Sequence, residues 1–181
     1  TITNGFDPDE ADVRADRLTS NFTITYTGNI YAGRQDPSRL LLATKQMIHD
    51  GTLDPRDLEV RFYGPWSAYL SRAVSDLRME SVVRLNETIS RESSFARQRE
   101  SQLLLLMNWE DAHEKGVYTL KIFEYLAAQR PILATGGWGG DVVEDLLRET
   151  GAGRYCRTCE DVKTALAEAY LEYKRQGAVS Y

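Results

Sequence analysis

Apolar residues follow two rhythms that alternate along this chain. Period-2 or continuous apolar runs predict strands at Phe22 to Tyr26, Leu58 to Tyr63, Ser81 to Leu85, Leu103 to Met107, Ile132 to Thr135 and Arg154 to Cys156. Between them, stripes at three- and four-residue spacing predict helices. Leu40, Leu41, Ala43, Thr44, Met47 and Ile48 form the first stripe, opened near Pro37 and closed by Asp50-Gly51. Trp66 to Leu77 predicts the second helix, with Tyr69, Leu70, Ala73 and Leu77 inward. Ser90 is a good N-cap for a third that runs to about Ser101, and its thin apolar content predicts a largely exposed helix. Ile122, Phe123, Leu126 and Ala127 stripe the fourth, which Pro131 ends. Asp141 to Thr150 is the fifth, closed by Gly151 and Gly153. Thr158 with Asp161 imitates a capping box for the last helix, which runs to about Arg175 with Val162, Ala165, Leu166, Ala169 and Tyr170 inward.

Six strands alternating with six helices predict an α/β fold: a Rossmann-like parallel six-stranded sheet with helices on both faces and right-handed crossovers. Leu103 to Met107, apolar throughout, is the strand expected to be buried on both sides. Residues 1–21, with turn signals at Asn4-Gly5 and Asp7-Pro8, read as a junction or tether, and 22–181 as one domain. Ligands of such sheets bind beyond the carboxyl ends of the strands. The candidate loops are therefore those after Tyr26, Tyr63, Leu85, Met107 and Thr135.

Charge and composition narrow the function. A net charge of -5 gives no support for nucleic-acid binding and offers no polybasic membrane tether. Leu103 to Met107 is far too short to cross a bilayer, and the polar, acidic start does not read as a signal peptide. A cytoplasmic protein is expected. Cys156 and Cys159 form C-R-T-C, but no second cysteine pair and no spaced histidine completes a metal site, so two free thiols are expected and no metal.

The richest stretch is Glu114 to Thr135, a loop feeding a helix and then a strand. A helix N-terminus offers unpaired amides and a positive dipole end, which suit an anion. Lys121 and Glu124 share a face near that end. Charge beside phosphates and a carboxylate for hydroxyls would suit a nucleotide sugar; a surface Lys-Glu pair explains the spacing equally well. Gly28, with Arg34 six residues on, could hold a diphosphate in a forked contact, although a glycine at a strand end most often only makes a turn. G-N-I-Y-A-G lacks the spacing of a dinucleotide fingerprint, and no nucleophile elbow is present. Glu110, Asp111, His113 and Glu114 read as a solvated acidic loop rather than a metal site. Trp138, within the Gly136 to Gly140 run, suits stacking on a base or sugar as well as packing on the next helix.

TNGFD (Thr3 to Asp7), YTGNIYAGR (Tyr26 to Arg34) and above all GVYTLKIFEYLAAQRPIL (Gly116 to Leu133) resemble the C-terminal, nucleotide-sugar-binding lobe of GT-B-fold, retaining glycosyltransferases of the family 4 type (glycosyl transferases group 1). The resemblance covers nearly the whole chain. It implies transfer of a sugar from a nucleoside diphosphate sugar to an acceptor hydroxyl, with retention, in polysaccharide or glycolipid biosynthesis. It implies no cofactor beyond that donor, and an N-terminal lobe of the same protein as partner, through which peripheral membrane association could arise. This lobe alone would be inactive. The implied catalytic residues are Arg34 and Lys121, both at the diphosphate. The implied donor-binding positions are Gly28, Asn29, Leu85 near the base, Gly116, Val117, Tyr118, Thr119, and Glu124 at the ribose. Two positions depart from the family pattern: Asn29 stands where an arginine is common, and Gly116 where the first glutamate of a pair belongs, with Glu114 two residues away. A nucleotide-sugar epimerase lobe and a non-catalytic binding domain are the alternatives.

Overall fold

A computed structural model of the protein describes residues 17–110 and 118–180. The strands are β1 (Phe22–Thr27), β2 (Leu58–Tyr63), β3 (Val83–Asn86), β4 (Leu103–Asn108), β5 (Ile132–Gly136) and β6 (Gly153–Cys156). The helices are α1 (Ser38–His49), α2 (Ala68–Asp76), α3 (Arg91–Arg99), α4 (Leu120–Ala127), α5 (Val142–Thr150) and α6 (Cys159–Gln176). All strand pairs are parallel, in the order β3-β2-β1-β4-β5-β6. The expected Rossmann-like α/β sheet is therefore present. The order reverses between β1 and β4, where a crevice opens at the carboxyl ends in sheets of this kind. Of the junction expected over residues 1–21, residues 1–16 lie outside the described residues.

Two apolar cores cover the two faces. Phe22, Ile24 and Tyr26 of β1 join Leu40, Leu41, Met47, Val162 and Leu166 on one side. Leu104, Leu106, Ile122, Tyr125, Ile132 and Leu147 form the other. β4 feeds both cores, as its unbroken apolar run predicts.

Three expectations need correction. The first concerns α3, most of whose residues are exposed as expected but whose inner face is not bare: it buries Phe95, Gln98 and Arg99. Its partner is the polar face of β1. Gln98 donates to Thr27 Oγ1 at 2.9 Å, and Ser101 Oγ lies 2.6 Å from Thr25 Oγ1. Just after α3, the Gln102 amide donates to Thr23 Oγ1 at 3.0 Å. A contact built from hydroxyls and amides leaves no apolar stripe in the sequence, so counting apolar residues misses it. The second concerns α2, which begins at Ala68 behind the N-cap Ser67 and leaves Trp66 80% exposed. It buries Leu70 and Val74, while Tyr69 turns outward and donates to Asp36 Oδ1 at 2.9 Å. The third is the α4 stripe. Ile122 and Tyr125 are its fully buried residues, Phe123 and Leu126 flank them, and Ala127 is only partly covered.

The helix ends follow their sequence signals. Asp141 caps α5, accepting from the Val143 amide at 3.3 Å, and Gly151 closes it at φ 68. Thr158 and Asp161 complete a reciprocal capping box on α6. Cys156 and Cys159 are free thiols; burial pushes the Cys156 thiol up to about 12.

Candidate functional site

The site is built around two glycines. Beyond the ends of β1 and β2 the ladder continues for one residue: the Gly28 amide donates to Tyr63 O at 2.7 Å and the Gly64 amide to Asn86 O at 3.3 Å. The two turns lie so close that a Cβ on Gly64 would strike the Gly28 carbonyl. Gly28 itself has φ 117, a conformation that favours glycine. A cavity of about 320 Å³ opens on one side of this pair, lined by Gly28, Asn29, Gly64, Arg91, Ser94 and Glu124 among others. A smaller one of about 100 Å³ opens on the other, where Gly28 meets Ile30, Trp66, Leu70 and Leu85.

Lys121 comes to the same turn from α4. Its ammonium donates to Thr27 O, and a Cβ on Gly28 would lie 2.6 Å from its Nζ. The Nζ stands 4.6 Å from the centre of the Tyr26 ring and 5.9 Å from that of Tyr125. Burial lowers its pKa to about 8, against a smaller opposing effect of Glu124. Lys121 and Glu124 do not form an ion pair among the described residues. The lysine bonds a strand carbonyl, and the glutamate lines the cavity. The two side chains thus have separate placements: Glu124 stands in the wall of the larger cavity, and Lys121 lies against Gly28 without lining either cavity.

Thr119 is the N-cap of α4, in an extended conformation with no side-chain cap hydrogen bond; its carbonyl accepts from the Ile122 amide at 3.3 Å, and its hydroxyl claims none of the first amides. Tyr118 packs edge-on against Phe123 with ring centres 5.8 Å apart. Gly116 and Val117, together with Asp111, His113 and Glu114 of the acidic loop, lie outside the described residues. Glu110 is described, and it pairs with Arg39 instead of standing solvated.

Arg34 is set apart from the glycine pair and lines neither cavity. Its guanidinium lies over the Trp109 ring at 4.6 Å, and its carbonyl accepts from the Glu110 amide at 2.8 Å. Trp109 directly follows β4, the neighbour of β1, so Arg34 still brings a cation to this end of the sheet. The Gly136 to Gly140 turn is held by Tyr155, whose hydroxyl donates to Gly136 O at 2.8 Å, and Trp138 is 47% exposed.

Sequence reading missed Arg91 and Ser94 as wall residues, and Tyr26 and Tyr125 as neighbours of Lys121. Gly64 falls in the candidate loop after Tyr63, whereas Arg91 was legible only as the residue after a cap. Among the described residues no group of three or more His, Cys, Asp or Glu could hold a metal ion, and no helix is long and apolar enough to cross a membrane.

No protein-family model matches the chain, and no curated protein matches it in sequence. Solved structures do match in fold. WaaG, a glycosyltransferase involved in lipopolysaccharide biosynthesis, superposes with a TM-score of 0.69 at 13% identity, over 94% of this chain and 46% of its own. A trehalose-6-phosphate structure from E. coli, bound with UDP-2-fluoro glucose, gives 0.68 at 15% identity, over 92% of this chain and 42% of its own. A Listeria monocytogenes protein described as a UDP-N-acetylglucosamine 2-epimerase gives 0.57 at 12% identity, over 97% and 42%. The chain thus spans less than half the length of each of these structures. At such identities the likeness is one of fold, and in fold the chain is a Rossmann-like lobe of the GT-B type.

Proposed function

We propose that this chain is the donor-binding lobe of a cytoplasmic glycosyltransferase that moves a sugar from a nucleoside diphosphate sugar to an acceptor hydroxyl with retention. The observation that carries this reading is the crevice at the Gly28–Gly64 pair, with Glu124 in its wall and the Lys121 ammonium against Gly28. Two turns without side chains let a ligand approach the backbone. Glu124 accepts from ribose hydroxyls. Lys121 and the α4 amides face the diphosphate, and Arg34, resting on Trp109 apart from the glycine pair, adds positive charge at the same end of the sheet. These groups stabilise the charge that develops on the leaving diphosphate, which is where positive groups accelerate such a reaction most. Leu85, half exposed at the smaller cavity, borders the base. The acceptor contacts, and any peripheral membrane association, belong to a partner lobe of the same protein.

The solved structures that match in fold include one with a UDP sugar bound and one described as an epimerase. An epimerase reading keeps the same crevice, and product analysis separates the two: transfer yields a glycosylated acceptor, epimerisation a converted nucleotide sugar. A non-catalytic reading rests on Asn29 and Gly116, where the family pattern has charged residues.

Calorimetric titration with UDP, GDP, ADP and dTDP tests the proposal. One of them should bind with a Kd in the range of about 10 μM to 1 mM, as expected of half a cleft, and without turnover. Lys121→Ala should weaken that diphosphate by at least a decade while sparing the nucleoside, because a charge-assisted hydrogen bond contributes about 1.5–3 kcal/mol. Glu124→Ala should weaken both ligands alike. Failure of all four diphosphates to bind, or folded variants within about twofold of the parent, would remove the site assignment.

A further inference from the structure

Two tyrosines near Lys121 do more than fill the core. Tyr26 and Tyr125 are 1% and 0% exposed, and they approach the ammonium from β1 and from its own helix. A buried tyrosine needs a partner for its hydroxyl, and each of these finds one on the backbone of the same turn. The Tyr26 hydroxyl donates to Asn29 O at 2.6 Å. The Tyr125 hydroxyl accepts from the Thr27 amide at 3.3 Å. Between these two attachments lies Thr27 O, the carbonyl that receives the Lys121 ammonium, and then Gly28.

We propose that Tyr26 and Tyr125 are positioning residues for Lys121: their rings hold its ammonium, and their hydroxyls fix the Gly28 turn against which it sits. A cation within about 6 Å of a ring centre is attracted by the ring's quadrupole, and the attraction grows when water is excluded. An ammonium has three donors; the turn carbonyl takes one, and the rings hold the group without neutralising it. No carboxylate pairs with Lys121 among the described residues. A lysine locked to an aspartate would have to break that pair before meeting an anionic ligand, whereas one held by neutral rings keeps its full charge for the ligand. The titratable groups set against it among the described residues are Tyr26 from β1, and Tyr125 and Glu124 from α4. Burial raises the pKa of both phenols, outweighing the lowering effect of Gln35 on Tyr26, so both rings remain neutral wherever Lys121 titrates. The consequence for ligands rests on the reading that Lys121 faces a diphosphate; the arrangement of the lysine does not.

The test follows the Lys121 side chain by NMR in the ligand-free protein, through a pH titration with carbon-labelled lysine. The parent should titrate near 8. Tyr26→Phe keeps the ring and should leave the midpoint in place. Tyr26→Leu removes the ring and should lower the midpoint by about one pH unit, the equivalent of a cation–π contact in a partly desolvated site. If the leucine variant does not fold, pentafluorophenylalanine in place of Tyr26 keeps the ring's shape and reverses its quadrupole, and must lower the midpoint too. A midpoint that stays put or rises toward the ordinary lysine value would show that the rings are only walls, and would overturn the proposal. Tyr125→Phe should speed hydrogen exchange of the Thr27 amide and weaken UDP, the diphosphate probe, severalfold while leaving uridine unchanged. Equal losses for UDP and uridine would reduce the hydroxyls to a general structural role. If UDP does not bind the parent, the donor-site reading fails, and the titration and exchange arms still decide the arrangement around Lys121.

Discussion

Replacing Lys121 by methionine should stabilise the ligand-free protein at neutral pH, and the gain should vanish as the pH rises. Burial lowers the Lys121 pKa from 10.5 to about 8. At about 1.36 kcal/mol per pKa unit, holding the ammonium in the folded state costs about 3 kcal/mol below pH 8. Lys121 is only partly buried by exposed area, so solvent screening reduces this to about 1–2 kcal/mol. Methionine fills the same space without charge, but it leaves Thr27 O without the lysine donor, which returns about 1 kcal/mol. The net gain at pH 7 is therefore at most about 1 kcal/mol, or at most roughly 2–4 °C in Tm for a chain of this size. The sign changes with pH. Between the folded value of about 8 and the ordinary 10.5, the unfolded chain holds a proton that the folded chain has released. Wild-type stability contributed by this group therefore rises through that window. Above it, lysine is neutral in both states and methionine is the less stable choice. The assay is thermal unfolding of both proteins from pH 7 to pH 10.5, read as the difference in Tm, in which other titrating groups cancel. A difference that is constant across the window would refute the claim that Lys121 is a desolvated cation, and with it the physical basis for its role at a diphosphate.

Gly64→Ala should cost about 1–3 kcal/mol in denaturant unfolding and abolish diphosphate binding, because the new Cβ meets the Gly28 backbone rather than a movable side chain. Unchanged stability and binding would show that the two turns are free to separate. Thr158→Ala should cost about 1 kcal/mol by removing the hydroxyl that accepts from the Asp161 amide at 3.1 Å, with no change in nucleotide affinity; a change in affinity would mean that α6 is coupled to the crevice.

Much of this protein could be read without coordinates. Each strand and helix is a local periodicity, and each cap is a side chain acting within a few residues, so Ser90 and Thr158 act where their sequence context places them. The same locality explains the misreadings. The inward face of α3 is polar because its partner is the threonine row of β1, and only contact with that row makes Gln98 a core residue. Tyr125 looks like an amphipathic surface residue until its hydroxyl is placed against an amide 98 positions earlier in the chain.

By itself the sequence determined the alternation of strands and helices and the stretch that carries Lys121 and Glu124, because these depend on interactions between near neighbours along the chain. Tertiary structure alone decided the strand order and therefore which loops share an end of the sheet. Pairing Ile24 with Leu103 sets β1 beside β4, and pairing Thr27 with Tyr63 leaves Gly28 and Gly64 in contact. It also separated Arg34 from that glycine pair by resting it on Trp109. Such choices come from closing long loops around two apolar cores, and the side chains that meet there are distant in the chain and carry no shared local pattern.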